Sequence, residues 1–446
     1  MRGRRTRHRR DFRTRGVTLI RSIQPSSESS VGDLPDLRGF TVAGWNFLPR
    51  QIDTGAQAPN TLTSEPVIDR QGPFAVSATP PRADHVGSLL RPTHVANARV
   101  QHFEAESLSA DALREIEDEA IITSVSEQES LGLGTVTDGE MRRAFWHYDY
   151  MGALEGLDLV EEDQPGIQFQ GATLKPIFPT ITSRIRFPMD HPMLGHFRYL
   201  ASVTKARPKI SIPGPSACHF RIDKDHVHVP EYLEDEEALF NDITAAYKDA
   251  VAAFYSIGCR YLQMDDIFFA YLCDPKIQEQ KRQQGYQPEF LIKRYAQMMR
   301  EAIDGRPEDM LIGMHLCRGN FQSTWVAEGG YDPAADAVFN ETGIDVFYME
   351  YDSERAGGLE PLRLLSKGKQ RVLPGFITTK TAELETVDDL KRRFDEASKF
   401  ADIDQLGIAP QCGFASTEEG NKITPDDQKR KLARVVETAH AIWGEV

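Results

Sequence analysis

Residues 236–265 read EEALFNDITAAYKDAVAAFYSIGCRYLQMD. Apolar residues recur at spacings of three and four through Glu236–Ser256, which predicts an amphipathic helix. A turn at Gly258 follows, and the short apolar run Tyr261–Asp265 predicts a buried strand that ends on a carboxylate. The same unit repeats along the chain. Helical patterns occupy 112–131, 288–303, 387–400 and 426–443, and Thr424-Pro425 gives the last of them a capping threonine and a leading proline. Strands centre on 85–88, 135–138, 209–213, 261–265, 311–316, 345–350, 371–377 and 405–410. Strands alternating with helices in this way predict an α/β fold, a single (β/α)8 TIM barrel over 81–446, in preference to an open doubly wound sheet. Residues 152–200 fit no regular unit and read as an insertion over one barrel end. Residues 1–80 are rich in Ser, Pro, Gly and Arg without periodicity, and read as a mostly disordered extension.

Charge narrows the partners. Residues 1–80 hold twelve basic against seven acidic side chains, whereas the rest holds forty against sixty. So acidic a body argues against nucleic acid, whose phosphates need a basic surface. No run approaches the ~20 apolar residues that a membrane-spanning helix needs. Residues 1–22, with nine Arg and one Asp, read as a disordered leader, a mitochondrial transit segment or an over-extended translation start. The five cysteines are dispersed and follow no secretory signal, which points to reduced thiols in the cytoplasm, or in the mitochondrion if the leader is a transit peptide.

Barrel active sites lie at the carboxyl ends of the strands, and here those ends carry unusual residues. His315 and Cys317 stand two apart on one strand and share a face. Glu350 closes the next strand and Cys412 the last. Nitrogen, oxygen and sulfur donors from neighbouring strand ends suit zinc, and the thiolates disfavour magnesium and calcium. Standing alone, His315 and Cys317 would read as a packed core pair; Glu350 and Cys412 at equivalent depth turn the reading toward a metal centre. Cys218, Cys259 and Cys273 read as packing residues, and His219, His226 and His228 as a solvated loop cluster.

The His315-x-Cys317 run, the Met349-Glu350 strand end and Pro410-Gln411-Cys412-Gly413 together resemble the zinc-binding pattern of cobalamin-independent methionine synthases. Val86-Gly87-Ser88, Asp138-Gly139-Glu140 and Leu262-Gln263-Met264-Asp265 resemble three further motifs of that family. The resemblance covers about 81–446, the catalytic barrel. It implies zinc on His315, Cys317, Glu350 and Cys412, activating the thiol of homocysteine for methylation. It also implies that Glu140 and Asp265 hold the substrate's ammonium, and that Val86, Gly87 and Ser88 hold its carboxylate. Read from the residues alone, Glu140 could instead pair with Arg142 or Arg143, and Asp265 could cap a helix.

The methyl donor is expected to be 5-methyltetrahydrofolate or another methyl donor. The family carries a histidine acid at the seventh strand end, where this chain reads Gly375-Phe376-Ile377-Thr378-Thr379-Lys380. Trp146 and His147 are the local candidates for a stacking surface and an acid. Family members also possess an amino-terminal barrel that contributes to folate binding, and residues 1–80 are too short and irregular to form one. Alkyl transfer to another thiol, as in epoxyalkane:coenzyme M transferases, is the nearest alternative, but a sulfonate thiol would not need Glu140 and Asp265. Uroporphyrinogen decarboxylase shares the barrel type but needs no metal. A catalytically inactive metal-binding scaffold is the non-enzymatic alternative. Self-association into a homo-oligomer stays open.

Overall fold

The computed structural model describes residues 79–162, 166–174, 177–368 and 370–446. The expected extension over 1–80 therefore falls, up to residue 78, outside the described residues.

Five strands pair in parallel, in the spatial order Arg371–Gly375, Val346–Glu350, Leu311–Leu316, Tyr261–Asp265 and Ile210–Pro213. Every residue of the last four of these is buried, as expected for parallel strands covered on both faces. The remaining three segments close the ring. Arg207–Pro208 pairs in parallel with Thr135–Val136, and Leu89 N–H donates to Gly139 O at 3.0 Å. Parallel bridges join Ala83 to Ile408, Leu406 to Val372 and Pro410 to Ile377. Six of the eight expected strands thus appear as ladders of the TIM-type barrel; 85–88 is not a strand, its segment pairing only through the isolated bridge at Ala83, and 405–410 pairs only through isolated bridges.

Glu236–Ser256 and Pro288–Ile303 form helices at their expected bounds. Asp235 caps the first by accepting from Glu237 N–H at 3.1 Å. Pro425–Trp443 carries the expected threonine cap, completed into a capping box by Asp427. The structure corrects the expectation for 152–200. Glu155–Glu161 and Ile177–Arg186 form an antiparallel hairpin, and Pro192–Val203 is a barrel helix. Leu194, Phe197 and Leu200 give that helix a buried stripe at a spacing of three. The tip of the insertion does reach the carboxyl end of the barrel, where Phe169 packs on Phe321 with ring centroids 5.3 Å apart. Among the described residues no helix is long and apolar enough to cross a membrane.

The lower barrel interior holds a closed polar network. Lys209 Nζ lies 3.1 Å from Asp84 Oδ1 and 3.0 Å from Tyr348 Oη, and neither charged side chain is exposed. Tyr348 in turn donates to Asp84 Oδ2 and contacts Tyr261 Oη at 2.5 Å. Burial pulls the Lys209 ammonium below its ordinary range, and Asp84 opposes that pull. Lys209→Met strands Asp84 as a buried, uncompensated charge, so we expect a loss of about 3–5 kcal/mol. Denaturant midpoints would measure it, and Asp84→Asn added to Lys209→Met should recover part of the loss.

Candidate metal centre and active site

The fifth strand fixes His315 and Cys317 on one face while Leu316, between them, enters the core. Its register sets Asp265 directly beside His315. Cys412, in the loop after the eighth strand, comes within 3.8 Å of Cys317, sulfur to sulfur. The donor atoms of His315, Cys317 and Cys412 all lie within 4.8 Å of one another, and all three residues are buried. Both ring nitrogens of His315 are buried without a hydrogen-bond partner. Burying polar atoms unpaired is costly, and a metal ion would satisfy one of them. A nitrogen and two sulfurs at this separation fit zinc.

The two thiols are not equivalent. Hydrogen bonding to Cys412 and burial raise Cys317 well above the ordinary thiol range. Cys412 is held well below it by the hydrogen bond from Cys317 and the adjacent His315, against the effect of burial. Burial disfavours a charged His315, yet the Cys412 sulfur and the Asp265 and Glu350 carboxylates raise it above its ordinary range. The geometry therefore sets the Cys412 sulfur against both the Cys317 thiol and the His315 ring.

Glu350 is at the expected strand end but outside this three-residue cluster. Its Oε2 accepts from Arg318 N–H at 2.7 Å, and its Oε1 accepts from the Arg355 guanidinium. Although burial favours the neutral acid, Lys380, Arg355 and Arg318 keep the carboxyl below its ordinary range. Arg318 is itself fully buried, and its guanidinium is bound by Gly329 O, Tyr331 Oη, Glu350 O and Ala356 O.

A narrow cleft of about 30 Å3 opens on the cluster, and its wall includes Val86, Ser88, Glu140 and Asp265 beside His315, Cys317 and Cys412. Asp265 accepts from Gln263 Nε2 at 2.7 Å, and the same amide donates to Val86 O at 2.6 Å. Burial raises the Asp265 carboxyl, opposed by His315 and Gln263. Asp265 does not cap the helix that follows; it is the next residue, Asp266, that accepts from Phe268 N–H, at 3.3 Å.

Glu140 takes a left-handed backbone conformation, φ 56°, uncommon for a residue with a side chain. It does pair with Arg143, through Oε2. Burial, opposed by Arg143 and reinforced by Asp265 and Asp138, pushes its carboxyl up to about 7. Gly87 has φ +145°, and a Cβ there would meet Glu140 Oε1 at 2.6 Å, so only glycine leaves that carboxylate room. Ser88 Oγ accepts from Ala415 N–H at 3.3 Å, and Ser88 O accepts from Phe414 N–H at 2.9 Å, which ties the first strand end to the Cys412 loop.

Trp146 lines the cleft and stacks on His147, centroids 4.4 Å apart. His147 is buried away from the cleft wall, and burial with Arg221 and Arg143 holds it well below the ordinary imidazole range. His219 departs from expectation. It is buried, bonded to Tyr295 Oη at 2.7 Å and Glu236 at 3.2 Å, and is not a solvated loop residue. Burial pushes the thiols of Cys218, Cys259 and Cys273 up to about 12, in keeping with packing roles.

Residues 82–440 match the family model of the cobalamin-independent synthase catalytic domain. The chain belongs to the cobalamin-independent methionine synthase family. Within the family's reach it is 45% identical, over 367 residues, to the uncharacterized protein YxjG of Bacillus subtilis (strain 168), covering 82% of this chain and 95% of that one. A putative vitamin-B12 independent methionine synthase from Listeria monocytogenes has a similar structure, with a TM-score of 0.65 and 35% identity over 82% of this chain and 99% of that one. More distantly, the chain is 22% identical over 336 residues to a methionine synthase of Sulfurisphaera tokodaii, covering 74% of this chain and 84% of the relative.

Arg318, Asn320 and Arg355 were not singled out from the sequence. Arg318 follows Cys317 directly and Asn320 lies three residues on, so polar residues just past a strand end were the available signal.

Proposed function

We propose that this protein is a zinc-dependent methyltransferase that methylates the thiol of homocysteine to give methionine. The observation that carries the reading is the opening of one buried cleft onto both the His315, Cys317 and Cys412 donors and the Asp265 and Glu140 carboxylates. His315, Cys317 and Cys412 would hold the zinc. Glu350 would be the fourth and most weakly held donor, being the hardest of the set and already engaged by Arg318 and Arg355. Zinc in such a site lowers a thiol's pKa and makes its sulfur nucleophilic near neutral pH.

The chain's own residues then orient the substrate. Asp265 and Glu140 face its ammonium, and the Ser88 hydroxyl with its backbone neighbours faces its carboxylate. This fixes the sulfur toward the cluster. In the transfer, a sulfur lone pair forms the new S–CH3 bond while the donor's bond to that carbon breaks and its electron pair stays with the donor. The thiol proton leaves to solvent. Trp146 offers a flat surface for the donor at the cleft wall.

The test is metal analysis of reduced protein followed by a thiol-methylation assay with several methyl donors, including methyltetrahydrofolate. We expect stoichiometric zinc and methionine formed from homocysteine with at least one donor. Protein free of zinc after careful reduction overturns the reading, and zinc without turnover on any donor favours a metal-binding scaffold.

A further inference from the structure

Of the residues that line the cleft, only His315 and Asn320 bury a side-chain nitrogen or oxygen without a hydrogen-bond partner among the described residues. A metal ion would meet His315. The Oδ1 of Asn320 has no such account. Asn320 stands in the loop after the fifth strand, is only 5% exposed, and donates through Nδ2 to Gly413 O at 3.1 Å. That bond fixes which way the amide faces, because turning it over would set Oδ1 against the Gly413 carbonyl, acceptor against acceptor. The loop is also clasped to the one after Cys412. Ser323 N–H donates to Asn421 Oδ1 at 3.4 Å, and Lys422 N–H donates to Ser323 Oγ at 3.0 Å. A buried acceptor held in place with nothing to accept is costly unless a ligand brings the donor. Its neighbours in the wall are already occupied: Val86 O accepts from Gln263 and Ser211, Gly413 O from Asn320 and Asn421, and Ser88 Oγ from Ala415 N–H.

We propose that Asn320 Oδ1 accepts one N–H of the substrate's ammonium, and so selects α-amino thiols over thiols of the same shape that lack the amino group. This rests on the function proposed above. Counting donors makes it specific. An ammonium carries three N–H groups. Asp265 can take one and Glu140 Oε1 a second, since Glu140 Oε2 is held by Arg143. The third would be left unpaired in a narrow, buried cleft. Homocysteine has no other hydrogen-bond donor once its thiol proton has left, so the ammonium is the group that can meet Asn320. A neutral amide supplies the third acceptor without placing another negative charge near the Cys317 and Cys412 sulfurs.

The experiment is calorimetric binding of L-homocysteine and of 4-mercaptobutanoate, which keeps the thiol and carboxylate but lacks the ammonium, to zinc-loaded, reduced wild type and Asn320→Leu. Zinc content and the KM for the methyl donor are measured on the same preparations. For Asn320→Leu we expect homocysteine to bind about tenfold or more weakly, the loss anticipated for a hydrogen bond to a charged group. Affinity for 4-mercaptobutanoate should stay within about threefold, with zinc content unchanged. Unchanged homocysteine binding, or an equal loss for both thiols, overturns the proposal. So does a raised KM for the methyl donor with homocysteine binding intact, which would assign Asn320 to the donor instead. If Asn320→Leu does not fold or loses zinc, Asn320→Ala replaces it, and if both fail the residue is structural and the proposal falls. Wild-type protein that holds zinc but binds neither thiol overturns the functional reading itself, and this inference with it.

Discussion

Replacing Cys412 with serine is expected to strip the protein of its metal and to lower kcat/KM for thiol methylation roughly a thousandfold or more. Cys412 is the sulfur whose thiol is drawn below its ordinary range, by the hydrogen bond from Cys317 and by His315 beside it. A serine hydroxyl is harder, keeps its proton at neutral pH and leaves His315 and Cys317 as the only close donors of the cluster. Elemental analysis and steady-state kinetics check both halves. Cys259→Ala is the control: that thiol is also fully buried, but it donates to the Tyr261 carbonyl at 3.4 Å and takes no part in the cluster. It should keep its zinc. A Cys412→Ser variant that retained stoichiometric zinc and most of its activity would remove this residue from the centre.

The second large effect concerns the carboxylates. Asp265→Asn should raise the KM for homocysteine about 10–100-fold, and Glu140→Gln by a smaller factor, since hydrogen bonds to charged groups contribute about 1.5–3 kcal/mol. The ranking follows from what each carboxylate already holds. Glu140 shares Oε2 with Arg143, so part of its charge is neutralised before substrate arrives. Asp265 has a neutral partner, the Gln263 amide at 2.7 Å. Initial-rate kinetics over homocysteine concentration measure both, and an unchanged KM in both variants removes the ammonium-binding role.

Much of the fold was legible because local period carries it. The spacing in Glu236–Ser256 and the compact run Tyr261–Asp265 lead to a helix and a strand at those bounds. The hairpin of Glu155–Glu161 with Ile177–Arg186 was not legible, because most of its first strand is exposed and alternates too weakly to separate from loop. The helix Pro192–Val203 has a usable stripe in Leu194, Phe197 and Leu200, but it was absorbed into the irregular block around it.

At the site, strand ends identified His315, Cys317 and Cys412, since barrel topology brings those ends together whatever the loops do. Cationic partners were harder. Arg355 and Lys380 act on Glu350 from loops after the sixth and seventh strands, and no spacing along the chain encodes that approach. The same holds for Glu350, whose strand-end position was visible while its engagement by Arg318 and Arg355 was not. Glu140 shows the opposite case: its pairing with Arg143, three residues on, was readable as an alternative, whereas its left-handed backbone was not.

X-ray absorption at the zinc edge of reduced, substrate-free wild-type protein tests the metal centre most directly. Coordination by Cys317, Cys412 and His315 predicts two sulfur scatterers at about 2.3 Å with nitrogen or oxygen at about 2.0–2.1 Å. A zinc shell without sulfur, or reduced protein that takes up no zinc, would contradict it.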